Sequence, residues 1–264
     1  MKEYIINFIK LNKNEELDIE NEINIRGDFG NTSKKELKKI KEKINNEKIG
    51  IKIINSIRNQ YLKHKAYKTH PSLKKNLKKI LEDYKSNDIL SLSKIYDNSP
   101  MSIFRLIIKK MYKFKKFNSS SLKHLSERDY QQFLLAENND LVAPLDQEES
   151  SKRSKNFEDK IEKVLKKKEI KYKTQEDLVK EQTEESGRPH ATPDFLLEEQ
   201  IMINGKRVNW IEVKNFYGLS KNFMMKKIIK QVENYKKIWG EGCLLFRYGV
   251  SDNLDIEDVC IVAI

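Results

Sequence analysis

Residues 192–214, TPDFLLEEQIMINGKRVNWIEVK, decide how the C-terminal half of this chain is read. Asn204-Gly205 at its centre is a strong hairpin signal, because a two-residue primed turn needs positive φ at both central positions. It predicts Ile201-Met202-Ile203 paired against Val208 to Lys214. Side chains alternate faces along a strand, so Ile211 and Val213 point into a core while Glu212 and Lys214 share the other face. Asp194 lies in the first apolar run, predicted as a strand over 192–197. A carboxylate and an ammonium on a strand otherwise built of Trp, Ile and Val suggest half of a metal site.

Outward from this segment, Phe157, Ile161, Val164 and Leu165 recur at helical spacing. A strand is expected over 169–174, a helix over 223–239, and two closing strands over 242–248 and 259–264. The order helix, strands, helix, strands describes an α/β layer. The polar, acidic stretch 137–155 is the natural boundary before it.

The first half reads differently. Its opening 30 residues are acidic and end in a turn at Arg26-Gly27-Asp28-Phe29-Gly30. Thr32 and Ser33 offer an N-cap for a helix from Lys34 carrying Leu37, Ile40 and Ile44. Further helices are expected over 53–62 and 73–84, and no stretch reads as a strand. Residues 88–112 predict two helices joined by a tight turn at Asp97-Asn98-Ser99, with Pro100 opening the second. That pattern is similar to a helix-turn-helix, and equally to an ordinary helical hairpin. In the first case Arg105, Lys109 and Lys110 would meet nucleic acid. The fold class is therefore α+β: a mostly helical, basic region over 1–145 and an α/β domain over 150–264.

Charge supports a polyanion partner. The 264 residues carry 52 Lys and Arg against 40 Asp and Glu, for a net +12. Residues 34–123 alone hold 25 Lys and Arg against 7 Asp and Glu, a net +18, while 1–33 and 124–150 are acidic. A basic excess concentrated in this way is the electrostatic footprint of a nucleic-acid binder; a general lysine bias of the chain is the competing explanation. No apolar run is long enough to span a bilayer, and the start has no secretory pattern. An intracellular protein without membrane contact is expected. Cys243 and Cys260, both in apolar runs, are expected to be buried free thiols.

The chemistry follows from ligand preference. Hard divalent cations take oxygen ligands, so a Mg²⁺ or Mn²⁺ site wants carboxylates converging from different elements, a backbone carbonyl and waters. Asp194 and Glu212, with the Val213 carbonyl, can supply these, and Glu158 can lean in from the helix that begins near Phe157. Lys214 would position water and stabilise charge on a phosphate. Gln231 and Tyr235 share one face of the following helix, and polar groups there need partners; a backbone phosphate or a bound water would serve. The plainer alternatives are a solvated Glu212–Lys214 pair, a helix-surface Glu158 and a turn-capping Asp194. Arg188, in the loop Gly187-Arg188-Pro189-His190, is a further candidate phosphate contact.

Pro193-Asp194, Glu212-Val213-Lys214, the preceding Glu158 and the following Gln231-x-x-x-Tyr235 together resemble the PD-(D/E)XK nuclease superfamily. The longer strings TPDFLL, WIEVKNFYG and QVENYKKIWGEGCLLFRYG are most similar to the codanin-interacting nuclease family, which carries the TPD signature and is related to archaeal Holliday-junction resolvases. The resemblance covers about residues 150–264 and extends loosely to SPMSIFRLIIKK. It implies a restriction-endonuclease-like core and Mg²⁺- or Mn²⁺-dependent hydrolysis of phosphodiester bonds. By it, Asp194 and Glu212 are metal ligands, Lys214 is the catalytic lysine, and Glu158, Gln231 and Tyr235 are supporting site residues. The expected substrate is DNA, branched or structured. A homodimer or a protein partner is compatible with that reading. The alternative is a catalytically silent nuclease-fold protein that binds nucleic acid or acts as a scaffold.

Overall fold

The computed structural model describes residues 1–44, 46, 49–143, 145, 148–220 and 223–264. Its elements in chain order are β1 (Glu3–Tyr4), β2 (Lys10–Leu11), α1 (Lys13–Ile23), α2 (Lys34–Ile44), α3 (Ile51–Lys75), α4 (Leu77–Asp83), α5 (Ile89–Tyr96) and α6 (Pro100–Met111). After a 3-10 turn, Ser119–His124, come α7 (Glu127–Asn138), α8 (Glu148–Lys167), β3 (Tyr172–Thr174), α9 (Gln175–Ser186), β4 (Phe195–Ile203), β5 (Lys206–Lys214), α10 (Phe223–Trp239), β6 (Gly242–Phe246), β7 (Val250–Ser251) and β8 (Val259–Ala263). The fold is mixed α+β, as expected. The chain divides into two compact units, described separately.

The first unit joins Met1–Leu17, Asn46–Ser56 and Glu148–Ile264. The break expected at 145–150 is present, but two early segments, Met1–Leu17 and Asn46–Ser56, belong with the C-terminal half. Part of that expected boundary, residues 144, 146 and 147, lies outside the described residues. The main sheet runs β1-β4-β5-β6-β8, with β3 also on β4. β4 and β5 are antiparallel, whereas β5, β6 and β8 are mutually parallel. The turn between β4 and β5 has Asn204 at φ 50° and Gly205 at φ 75°, the left-handed pair that the Asn-Gly reading required. β4 is one strand with a register shift between Leu196 and Ile201, where two short runs were expected.

Strand alternation builds two cores on this sheet. Ile211, Val213, Cys243, Leu245, Cys260 and Val262 pack with Phe157, Ile161 and Leu165 of α8. Trp210, Leu244, Phe246 and Val259 pack with Ile228, Val232 and Tyr235 of α10 on the opposite side. Burying each large apolar side chain contributes about 1.5–3 kcal/mol. Cys243 and Cys260 are register partners on β6 and β8, and both are buried free thiols.

β1 and β2 correct the reading that the first half holds no strand. β1 pairs parallel with β4, Glu3 opposite Met202, and β2 pairs parallel with β7. Each is two residues long, too short for periodicity to register, and each partner lies about two hundred residues away. Asn204 fastens β1 further: its side chain accepts from the Ile6 N–H at 2.8 Å and donates to the Ile6 carbonyl at 3.0 Å.

The second unit, Asp18–Asn45 with Ile57–Gln147, is helical. α2 starts as expected, with Ser33 and Glu36 bonding reciprocally as a capping box. The two helices expected over 53–62 and 73–84 are differently divided: α3 runs through Pro71 to Lys75, and α4 follows after Asn76. α5 and α6 meet as expected through left-handed Asp97 (φ 48°), with Asp88 and Ser99 as side-chain N-caps. Met101, Ile103, Phe104, Ile107 and Ile108 make α6 the centre of this core. α1 and α7 were not anticipated. Among the described residues no helix is long and apolar enough to cross a membrane.

Candidate active site

The site forms where β5 ends and β4 begins. Trp210, Glu212 and Lys214 face α10, as the alternation requires, but Glu212 is no solvated surface charge: it is only 4% exposed. Glu212 Oε1 accepts from Lys214 Nζ at 2.6 Å and from Gln231 Nε2 at 3.0 Å. Its other oxygen, Oε2, is buried with no hydrogen-bond partner. An unsatisfied buried acceptor of this kind costs about 1–3 kcal/mol, more when charged.

Asp194 sits in the bend immediately before β4, not in the strand expected over 192–197. Pro193 cannot donate a ladder hydrogen bond, and the strand starts only at Phe195. The bend turns the carboxylate toward β5, where Asp194 Oδ2 accepts from the Val213 N–H at 2.7 Å. Burial, then the charge of Glu212, pushes the Asp194 pKa up to about 7; the Val213 N–H and Lys214 pull the other way. Burial also raises Glu158 on α8, with Lys155 opposing and Glu212 reinforcing. Glu158 and Asp194 line one cleft of about 390 Å³ together with Lys155, Asp159, Glu162, Thr174, Gln175, Glu176 and Phe195. Five carboxylates against one ammonium make that cleft a poor host for an anion and a good one for a cation.

Gln231 and Tyr235 are brought to the same place, with partners other than those expected. Gln231 Nε2 donates to Glu212 and, at 2.7 Å, to the Tyr235 hydroxyl, while its Oε1 accepts from Lys214 at 3.3 Å. The Tyr235 hydroxyl donates to the Thr192 carbonyl at 3.1 Å, and burial followed by the Glu212 charge raises its pKa. Tyr235 also meets Trp210 edge-on, with centroids 5.3 Å apart. These contacts tie Gln231 and Tyr235 to Glu212, Lys214 and the Thr192 backbone. Their location on one helix face was legible; their use within the protein was not.

The donor set fits a divalent cation. A buried and a half-buried carboxylate repel each other, and one oxygen of the buried one has no partner; a cation between them would offset both. In a strand the N–H and C=O of one residue face the same side, so the Val213 carbonyl looks toward the edge where its N–H meets Asp194. Among the described residues no three His, Cys, Asp or Glu side chains gather as a metal-binding group. The fit therefore rests on Asp194 and Glu212 with the Val213 carbonyl, and Glu158 lies farther out in the cleft.

The remaining expected residues lie elsewhere. Arg105 on α6 is half-buried, burial lowers its pKa, and Asp140 and Glu137 are its acidic neighbours. An Arg so placed is poorly presented for a groove, whereas Lys109 and Lys110 at the end of α6 are exposed. Arg188 is exposed in the loop after α9. That loop is tied back by Gln182, which was missed: Gln182 accepts from the His190 and Ala191 N–H groups and donates to the Ala191 carbonyl at 2.8 Å. Asn234 of α10 donates to the His190 carbonyl. Only the N-cap pair Thr174 and Asp177 hinted at α9, which carries Gln182.

Thr192-Pro193-Asp194 is also what relates this chain to others. The chain belongs to the family described as proteins of unknown function with the TPD sequence motif, which matches residues 126–263. It is similar to an uncharacterized protein of Acanthamoeba polyphaga mimivirus, with 27% identity over 276 residues covering 99% of this chain and 86% of that protein. No solved structure matches.

Proposed function

We propose that this protein is a divalent-metal-dependent nuclease that hydrolyses phosphodiester bonds of DNA, with branched or structured DNA as the first substrates to try. The observation that carries the reading is the pairing of Asp194 with Glu212. A half-buried Asp194 and a buried Glu212 are held where β4 begins and β5 ends; one Glu212 oxygen is without a partner, and a lysine lies 2.6 Å from the other. The PD-(D/E)XK resemblance of the same residues adds to it, as does the basic excess of residues 34–123.

In this mechanism Asp194, Glu212 and the Val213 carbonyl would hold Mg²⁺ or Mn²⁺. When bound, the ion polarises a phosphoryl oxygen and makes water a competent nucleophile near neutral pH. Lys214 orients the attacking water and lends positive charge to the phosphate as negative charge builds on it. Gln231 holds Lys214 and Glu212 in one geometry, and Tyr235 anchors Gln231 to the backbone at Thr192. Burial of the pair strengthens every charge interaction at the site.

The test is cleavage of end-labelled duplex, single-stranded, flap and four-way-junction DNA in Mg²⁺, Mn²⁺ or EDTA, with Glu212→Ala alongside. Metal-dependent cutting that the variant loses is the expected result. A second reading, a nuclease-like protein that binds without cutting, is favoured by the lack of a three-side-chain metal group among the described residues. Binding by both proteins with cutting by neither, in every metal, would establish that reading instead.

A further inference from the structure

Arg247, one residue beyond β6, has a guanidinium that nothing above employs. Strand parity places it on the α8 side of the sheet, next to Asn215 on the neighbouring strand, one step past the Lys214–Phe246 register pair. Its backbone N–H donates to the Lys214 carbonyl at 3.0 Å, which fixes Arg247 at the same end of the sheet as Lys214, although its guanidinium lies on the α8 face and the lysine ammonium on the α10 face. Nη1 donates to Asn215 Oδ1 at 2.8 Å. The guanidinium carbon lies 5.2 Å from the Phe157 ring centroid and 5.1 Å from that of Tyr248. Phe157 is the residue before Glu158.

Two aromatic contacts and one hydrogen bond define the orientation of a half-buried cation that has no carboxylate in ion-pair distance among the described residues. Arg residues are almost never fully buried without a partner, and a half-buried one turns its remaining donors outward. Here the rings cover apolar area and contribute a cation–π attraction, while one amide oxygen serves one of five N–H donors. A planar donor fork held rigid and left without a counter-charge suits a phosphate, which accepts two parallel N–H bonds. The acidic cleft that holds Asp194 and Glu158 cannot attract a polyanion by itself, so a fixed cation on the α8 side of the sheet is what a bound strand would require.

We propose that Arg247 is a nucleic-acid contact, clamping a phosphodiester group of the bound strand on the α8 face of the sheet end that carries Asp194, Glu212 and Lys214. The assignment rests on the nuclease reading, and its test is separable from it. A fluorescein-labelled duplex is titrated in EDTA over a series of salt concentrations against the parent, Arg247→Met and Arg247→Lys. Methionine keeps the packing on Phe157 and Tyr248 without the charge, and lysine restores the charge. Arg247→Met is expected to bind about tenfold more weakly and to lower the slope of log affinity against log salt by about 0.9, the loss of one phosphate contact. Arg247→Lys is expected to recover the slope.

An unchanged slope in Arg247→Met, or a parent that binds no DNA, overturns the assignment. Cleavage by the parent in Mg²⁺ is scored in parallel. A lost slope without cutting sinks the nuclease reading alone, and cutting with an unchanged slope sinks the clamp alone. If Arg247→Met does not fold, phenylglyoxal modification of the parent with and without DNA gives the same answer by mass spectrometry. Protection of Arg247 is expected, and equal modification overturns the proposal.

Discussion

Replacing Asp194 by Asn is expected to stabilise the metal-free protein while removing a candidate metal ligand. Asparagine keeps an oxygen that can accept from the Val213 N–H, now 2.7 Å from Asp194 Oδ2, so the change removes charge at nearly constant shape. Burial, reinforced by Glu212, lifts the Asp194 carboxyl from its ordinary 3.8 to about 7. A raised carboxyl favours the folded state while the proton is on, and that contribution disappears as pH climbs from 3.8 through about 7. At about 1.4 kcal/mol per pH unit the full penalty is about 4 kcal/mol, a ceiling that entry of water into the cleft lowers. The assay is urea unfolding of parent and variant in EDTA at about pH 5 and about pH 8, where the gap in favour of the variant is expected to widen by about 1–3 kcal/mol. Added Mg²⁺ or Mn²⁺ should raise the parent's midpoint at the higher pH and leave the variant's where it is. A variant less stable than the parent at both pH values, or a gap indifferent to pH, refutes the argument that Asp194 is ionised against its surroundings.

Three further outcomes are expected. Lys214→Gln should lower cleavage at least about a hundredfold, the usual scale for a group that positions or transfers a proton, with DNA affinity by anisotropy within a few-fold of the parent. Gly242→Ala should cost about 3 kcal/mol or prevent folding, read by thermal melting, because a Cβ there would lie 2.0 Å from Cε2 of fully buried Trp210. Asp129 in the helical unit is buried, which raises its pKa, but hydrogen bonds from Tyr112, Ser126 and Tyr84 outweigh this and hold it below the ordinary 3.8. Its stabilising contribution is therefore present above 3.8 and lost as pH falls below it. Asp129→Ala should cost about 3 kcal/mol in a denaturant titration and abolish that acid sensitivity.

Local chemistry was legible wherever a residue's own neighbours decide its conformation. Asn204-Gly205 announced its turn, the alternation of 210–214 put Glu212 and Lys214 on one face, and the spacing of Gln231 and Tyr235 placed both on one side of α10. What escaped was set by residues far away in sequence. β1 forms because β4 lacks a neighbour there, and nothing in residues 1–10 says so. The half-burial of Arg105 depends on Asp140 and Glu137 lying near it, which no helical wheel of 100–111 reveals. Asp194 was expected in a strand over 192–197, but after Pro193 the strand opens three residues later, at Phe195. The internal hydrogen bonds of Gln231 required knowing that α10 lies over Glu212.

The three-segment make-up of the first unit bears on how the chain matures as it leaves the ribosome. Lys2 and Tyr4 offer carbonyls that accept from the N–H groups of Met202 and Asn204, so this segment must wait for a strand that is made much later. During that interval the segment stays unpaired while the helical unit, whose contacts are nearer in sequence, can condense alone. A version trimmed to begin at Glu148 would keep every candidate catalytic group and still leave a stretch of β4 as a bare edge, open to pairing with another copy. Insoluble behaviour of such a fragment would then report the missing segments Met1–Leu17 and Asn46–Ser56, and would carry no information about the chemistry of the site.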